Sequence, residues 1–244
     1  MPIISFCVSM KNKTESLFDN YADNYYQVLN KTLSITGENT TFFAKERIKL
    51  TDMKIKRFLP AFKAESVLDY GCGTGDTIPI IDEVLHPSKI TGIDLSVKNI
   101  EHAKSKYYSP GISFFTPGEF SSDSKVQLTY CNGVFHHISS MNERRDVVKF
   151  ICKSLSDNGL FAFWENNPIN PATRYIMSIC PFDKDAIPLS AGESKKLLEN
   201  NGFRIIDISF FFIFPGALSF LRFSESFFSG IPIGAQYLIL AQKI

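Results

Sequence analysis

The sequence has no CxxC pair, no cluster of basic residues and no uncharged run long enough to cross a bilayer. Its cysteines, Cys7, Cys72, Cys131, Cys152 and Cys180, are odd in number and widely spaced, which argues against a disulfide framework or a zinc knuckle and fits a reducing, cytoplasmic compartment. Lys and Arg total 26 against 25 Asp and Glu, so the formal charge of +1 offers no cationic stripe and no nucleic-acid partner is expected. The uncharged stretch Ile208 to Leu221 is broken by Pro215-Gly216 and falls short of the ~20 residues a spanning helix needs. Met1 to Val8 is apolar but lacks a basic flank and a small-residue cleavage pattern, so it does not read as a secretory signal. What is abundant is side-chain volume: 44% of 244 residues are apolar and 23 are Phe, ample for one packed core.

Two textures follow one another along the chain. Up to Pro60 the apolar residues recur at helical steps, Phe18, Tyr21, Ala22, Tyr25 and Tyr26 first, then less regularly Phe42, Phe43, Ile48, Met53, Ile55 and Phe58, with Gly37 between two helices. Beyond it, five short apolar runs (66–69, 89–94, 112–115, 126–131 and 160–165) alternate with amphipathic stretches, which predicts a parallel sheet. Helices are expected over 75–85, 97–107 and 144–155. Ser190 and Glu193 form a capping box for a fourth that stops near Asn201-Gly202, and strands over 203–214 and 235–242 close the chain. Residues 1–60 therefore read as a helical cap or lid on a core spanning 61–244, with an insertion at about 214–234. That insertion is rich in Phe and is expected first as buried packing, otherwise as an apolar lid or a patch in peripheral contact with a membrane.

The most informative segment is Val67-Leu68-Asp69-Tyr70-Gly71-Cys72-Gly73-Thr74-Gly75, a strand entering a glycine-rich turn and then a helix. Such a turn places a ligand at the carboxyl edge of the sheet. The spacing is GxGxG rather than the GxGxxG of dinucleotide sites, and the preceding Asp69 would repel a pyrophosphate but attract a cationic amine. Asp94, ending the second strand, can accept both hydroxyls of an unphosphorylated ribose. Glu119 follows the third strand, where it could accept an adenine amino group while Phe120 lines the ring.

On these residues, and on Thr91-Gly92-Ile93-Asp94-Leu95-Ser96, Gly118-Glu119 and Cys131-Asn132-Gly133-Val134-Phe135-His136-His137-Ile138, the chain resembles a class I S-adenosylmethionine-dependent methyltransferase, chiefly over residues 60–170. The resemblance implies a Rossmann-like three-layer sandwich with a mostly parallel seven-stranded sheet, order 3-2-1-4-5-7-6, strand seven antiparallel. It also implies S-adenosyl-L-methionine as cofactor and S-adenosyl-L-homocysteine as product. The methionine end would lie near Asp69, Gly71, Cys72 and Gly73 with the backbone of Cys131 and neighbouring Asn132, the ribose on Asp94, and Leu95 beside the adenine. Glu119 stands where the family more often has Asp. The segment Phe18 to Tyr25 resembles a helix that members fold over the cofactor, making Tyr25 a lid contact.

A hydroxyl or amine acceptor must lose a proton, and two candidate bases follow strands four and five: His137, with His136 beside it, and Glu165. Glu165 with Asn166 could offer oxygen ligands to Mg²⁺, but strand four ends in Cys131-Asn132 without a partnering carboxylate, so no metal is expected. The sequence thus points to small-molecule methylation, with a sugar, lipid-linked or secondary-metabolite acceptor and oxygen as the receiving atom. An NAD-dependent oxidoreductase or a non-catalytic nucleoside-binding scaffold are the alternatives. The oligomeric state is left open.

Overall fold

The computed structural model describes residues 25–121 and 125–244. Two helices come first, α1 (Tyr25–Leu33) and α2 (Thr40–Phe58). The core then runs β1 (Ser66–Tyr70), α3 (Ile78–Leu85), β2 (Lys89–Ile93), α4 (Val97–Lys106), β3 (Ile112–Phe115), β4 (Val126–Asn132), α5 (Met141–Ser154) and β5 (Leu155–Asn166). It ends with α6 (Pro171–Ile179), α7 (Ala191–Glu199), β6 (Phe203–Phe211), a short α8 (Glu225–Phe228) and β7 (Gln236–Lys243). The seven strands form one sheet in the order β3-β2-β1-β4-β5-β7-β6. β1 to β5 pair in parallel, and β7 runs antiparallel to both β5 and β6. The central strands are buried on both faces, as continuous runs such as Leu160 to Trp164 require.

The sheet separates two apolar layers. One holds Phe135, Val147, Val148, Ile151, Phe161, Phe163 and Tyr237; the other holds Ile78, Ile81, Ile90, Leu128, Trp164 and Leu238 together with Ile48 and Ile55 of α2. α2 is thus built into the core. Its buried positions, Ile48, Thr51, Lys54 and Ile55, follow helical steps, whereas Met53 and Phe58 are exposed. The weak apolar pattern of α2 has a physical reason, because two seam positions are polar and satisfied across the interface. Trp164 Nε1 donates to Thr51 Oγ1 at 2.9 Å, and the Lys54 ammonium pairs with Asp207 at 2.9 Å. A buried pair of this kind costs about 3–5 kcal/mol to break from one side.

Several boundaries move in instructive ways. Asp157-Asn158-Gly159, residues of turn-forming type, lie inside β5 as an irregularity, with the register skipping between Val126 and Leu128 and Asn158 at φ 60°. α6 falls where a loop was expected. Its signals were nevertheless present, since Asn170 caps it by accepting from the Thr173 N–H at 3.0 Å and Pro171 occupies its first turn. The capping box forms as read, Ser190 Oγ accepting from Glu193 N–H and Glu193 from Ser190 N–H.

The Phe-rich insertion corrects the expectation of buried packing. Phe220, Phe223 and Phe227 are 69%, 78% and 81% exposed. The two charges between them turn inward instead: Glu225 accepts from the N–H groups of Phe212, Ile213 and Phe214, and Arg222 bonds the Phe214 carbonyl and pairs with Glu38 at 2.8 Å. Backbone groups of the insertion therefore compete for the charged side chains, and the rings are left outside. No helix among the described residues is long and apolar enough to cross a membrane.

Candidate active site

The strand order reverses at β1, whose neighbours are β2 on one side and β4 on the other, so a crevice opens at their carboxyl ends. A cavity of about 340 Å³ occupies it. One wall is the glycine turn and the start of α4: Gly71, Cys72, Gly73, Thr74, Asp94, Leu95 and Asn99. Gly71 has φ +81°, and a Cβ there would stand 2.2 Å from Val134 Cγ2. Gly73, at φ +54°, meets nothing within 4 Å in the direction of its missing Cβ, which leaves its backbone open to a ligand. Asp94 organises this wall by accepting from Gly73 N–H (2.9 Å), Ser96 N–H (2.9 Å) and Asn99 Nδ2 (3.2 Å). A side chain from β2 thereby fixes the turn after β1.

Asp69 lies beneath this wall rather than on it, 2% exposed, and its Oδ2 finds no hydrogen-bond partner among the described residues. Burial, reinforced by the charge of Asp94 and opposed by that of Arg47, pushes its carboxyl up to about 7. Asn132 Oδ1, on the cavity wall, is a second buried acceptor without a partner. An unsatisfied acceptor on the crevice wall, backed by a buried carboxyl beneath it, suits a ligand with N–H donors. Arg47, which no sequence signal singles out from the charged run around it, lines the same cavity. Its guanidinium is held by Tyr130 Oη (3.3 Å) and Gln236 Oε1 (3.1 Å).

The other end carries titratable side chains from three segments. His136 and His137, in a 3-10 turn after β4, and Asp183, in the loop after α6, all line the cavity. His136 is 3% exposed; its Nδ1 meets Glu165 Oε2 at 2.7 Å and its Nε2 faces Asp183 Oδ1 at 3.4 Å. His137 Nε2 lies 3.7 Å from the same Asp183 oxygen. Burial disfavours the charge on His136, but the two carboxylates outweigh it and hold the ring protonated well above its ordinary range. Burial and that neighbouring charge push His137 down to about 4, so it stands neutral. The Asp183 loop is pinned to the histidine turn, with Ile187 N–H donating to the His136 carbonyl (2.8 Å). Arg144 bridges the carbonyls of Phe135 (3.1 Å) and Ile187 (2.6 Å).

The structure brings Gly71, Cys72, Gly73, Asp94, Leu95, Asn132 and His137 onto one cavity. It does not bring all the expected residues there. Glu119 is exposed and accepts from the N–H and hydroxyl of Thr116 at 2.8 and 3.0 Å, closing its own turn, which holds its carboxyl below the usual range. Phe120 packs toward Phe115 and Phe150, at ring distances of 6.2 and 5.8 Å, and Pro117 takes the place on the wall. Cys131 is fully covered, with Asn132 and Gly133 forming the wall after it. Glu165 is no exposed base: it is 1% exposed and its oxygens are taken by Phe135 N–H (2.7 Å), Asn166 N–H (3.3 Å) and His136. Burial raises its carboxyl and His136 more than offsets that, leaving it ionised. Tyr25 opens α1, but its side chain, like the segment 18–24, lies outside the described residues.

A seven-stranded sheet of this order, with a glycine turn, a strand-two acid and orphaned acceptors at the switch point, defines a nucleoside-binding α/β protein of the methyltransferase class. Residues 43–208 match the family described as "Methyltransferase domain". The chain belongs to that family: it is a class I S-adenosylmethionine-dependent methyltransferase, and S-adenosylmethionine is its cofactor. Among curated proteins it is 25% identical over 215 residues to an O-methyltransferase of Pyrenophora dematioidea, covering 79% of this chain and 75% of that one. It is 24% identical over 140 residues to a malonyl-[acyl-carrier protein] O-methyltransferase of Acetivibrio thermocellus, covering 56% of this chain and 48% of the relative. Among solved structures, magnesium protoporphyrin IX methyltransferase of Synechocystis PCC 6803 with bound SAH superposes with a TM-score of 0.60 at 15% identity, covering 97% of each chain. A Mesorhizobium loti S-adenosylmethionine-dependent methyltransferase does so at 0.56 and 19% identity, over 78% of this chain and 95% of the other. The cavity's lining is compatible in kind with that cofactor: Asn132 and Asp94 present acceptors and Arg47 a cation, with the Asp69 carboxyl buried behind them.

Proposed function

We propose that this methyltransferase acts on a hydroxyl oxygen of a small, largely apolar molecule, a lipid-linked or secondary-metabolite acceptor in preference to a sugar. The observation that carries this reading is the continuity of the cavity from the glycine turn to His137, past a wall of Phe43, Ile176, Met177, Phe182 and Phe212. Such a wall offers a polyhydroxylated acceptor few partners and an apolar one much contact area. The names of the two curated relatives support oxygen as the receiving atom.

When bound, S-adenosylmethionine supplies a methyl group made electrophilic by its sulfonium. The protein's residues then align, dry and deprotonate. Alignment alone accounts for about 7–11 kcal/mol of barrier in well-oriented reactions. His137, neutral and on the wall, is the residue placed to take the acceptor's proton, while His136, kept protonated between Glu165 and Asp183, supplies positive charge near a developing alkoxide. The N-terminal helical segment, including Tyr25, closes over the cofactor in this reading. The exposed Phe220, Phe223 and Phe227 support peripheral contact with lipid, through which an apolar acceptor would arrive.

S-adenosylhomocysteine should raise the thermal midpoint, by the equivalent of about 2.7 kcal/mol at a hundred times its Kd, and NAD should not. A panel of acceptors assayed for S-adenosylhomocysteine release should single out apolar hydroxyl compounds; turnover confined to amines would remove the O-methylation reading. His137→Ala should lower turnover about 10²–10⁴-fold with cofactor affinity nearly unchanged.

A further inference from the structure

The histidine end of the cavity contains a cluster with the donor set of a metal centre. One ring nitrogen each of His136 and His137 and a carboxylate oxygen of Asp183 lie within 4.8 Å of one another. Asp183 Oδ1 stands 3.4 Å from the first nitrogen and 3.7 Å from the second. A tetrahedral ion with ligand arms of roughly 2.0–2.1 Å needs its ligand atoms about 3.3 Å apart, so two of the three edges require only small adjustments. The third edge joins the two imidazoles, which are tilted at 49° with centroids 4.1 Å apart.

A second observation is independent of that spacing. Histidines that ligate metals give their other ring nitrogen to a carboxylate or carbonyl, which fixes the ring and raises its basicity. His136 Nδ1 meets the fully buried Glu165 at 2.7 Å, and Glu165 is itself locked by the Phe135 N–H. Asp183 is held in place by the Arg144 and Ile187 bonds described above. Two histidines and a carboxylate, buttressed from behind and open to a cavity in front, leave one or more coordination positions for substrate.

We propose that His136, His137 and Asp183 bind a divalent transition metal of the Zn²⁺ or Fe²⁺ type, and that the ion's open position receives the acceptor oxygen. The ion takes lone pairs from both Nε2 atoms and from Oδ1, any proton on those atoms passing to solvent, while the His136 Nδ1–H stays on Glu165. With the ion bound, an acceptor hydroxyl there would be acidified by the metal and release its proton to solvent, His137 acting as ligand; the base role described above would belong to the metal-free protein. The role given to the ion rests on the acceptor cavity proposed above; the binding itself does not.

Untagged, chelator-stripped protein should be titrated with Co²⁺ and followed by its visible absorption, alongside calorimetry with Zn²⁺. One ion per chain with tetrahedral or five-coordinate bands, and no thiolate charge-transfer band, is the expected result. Glu165→Gln should weaken Co²⁺ binding about 10–100-fold, and Asp183→Asn should weaken it further, each checked for an unchanged thermal shift with S-adenosylhomocysteine. Absence of saturable binding to the wild-type protein, a thiolate band, or affinity indifferent to the loss of Asp183 would each overturn the site. Because the cofactor shift is read in the same samples, failure of the metal site is distinct from failure of the methyltransferase reading.

Discussion

The two ends of the cavity are built by different means. At the glycine turn, most of the wall comes from consecutive residues, 71–74, and is tied by the single carboxylate of Asp94 to the next strand. At the histidine turn, four charged or titratable side chains converge from β4, β5 and the loop after α6, and a fifth, Arg144 of α5, holds their backbone. The first end is local geometry with ordinary hydrogen bonds. The second is a largely buried electrostatic network, whose members depend on one another. Backbone recognition of a cofactor needs shape, whereas handling an acceptor's proton needs tuned charge, and the two demands are met by these two constructions.

Removing one member of the network should show the larger effect. Glu165→Ala leaves Phe135 N–H, Asn166 N–H and His136 without their acceptor, and should cost about 3–5 kcal/mol in denaturant unfolding. The cofactor end should feel little of it, with S-adenosylhomocysteine affinity per folded molecule largely kept. Equal loss at both ends would mean the cavity behaves as one unit.

Gly71→Ala probes the opposite end. A methyl group 2.2 Å from Val134 Cγ2, on a backbone at φ +81°, should cost about 2–4 kcal/mol and weaken cofactor binding sharply. Normal binding in this variant would show that the turn is more pliable than its packing suggests.

Asp69→Asn keeps the shape and removes the charge. S-adenosylhomocysteine binding at neutral pH should weaken about 10-fold, because the lost charge acts on the ligand's ammonium from beneath the wall. In the wild type that affinity should climb between pH 5.5 and 7.5 as the carboxyl, raised to about 7, ionises. The climb should vanish in the variant, and calorimetry across that range reads it.

A further effect of the same carboxyl is on stability. Because Asp69 holds its proton more tightly folded than unfolded, with 3.8 as the ordinary value and about 7 in the native state, the unfolded chain binds fewer protons between those values. Its contribution to wild-type stability therefore falls as pH rises from about 4 to about 7 and is flat above. Chemical unfolding of wild type and Asp69→Asn side by side isolates it, since the histidine terms are common to both. A difference that grew in the wild type's favour over that window would show that Asp69 is not buried as described.

How far the molecule could be read from its sequence follows the same division. The strands, the capping box of Ser190 and Glu193, and the glycine turn announce themselves through runs of neighbours. α2 was read as irregular because Thr51 and Lys54 occupy its seam, made acceptable there by Trp164 and Asp207 from far along the chain. Glu119 shows the converse: an acid at the expected place after β3 found Thr116 nearer than any ligand. Asp183 had no motif at all, lying in a loop whose position depends on α6, Arg144 and the histidine turn together.

The sequence by itself determined the strands and the cofactor turn, because strand periodicity, glycine placement and an acid at a strand end are constraints between residues close along the chain, while the strand order came with the family resemblance. Only the tertiary structure decided which carboxylate faces which imidazole, that Glu165 is buried behind His136, and that Arg47 reaches the cavity from α2. Those pairings join residues tens of positions apart, and their energies arise from desolvation, which exists only once the chain has packed.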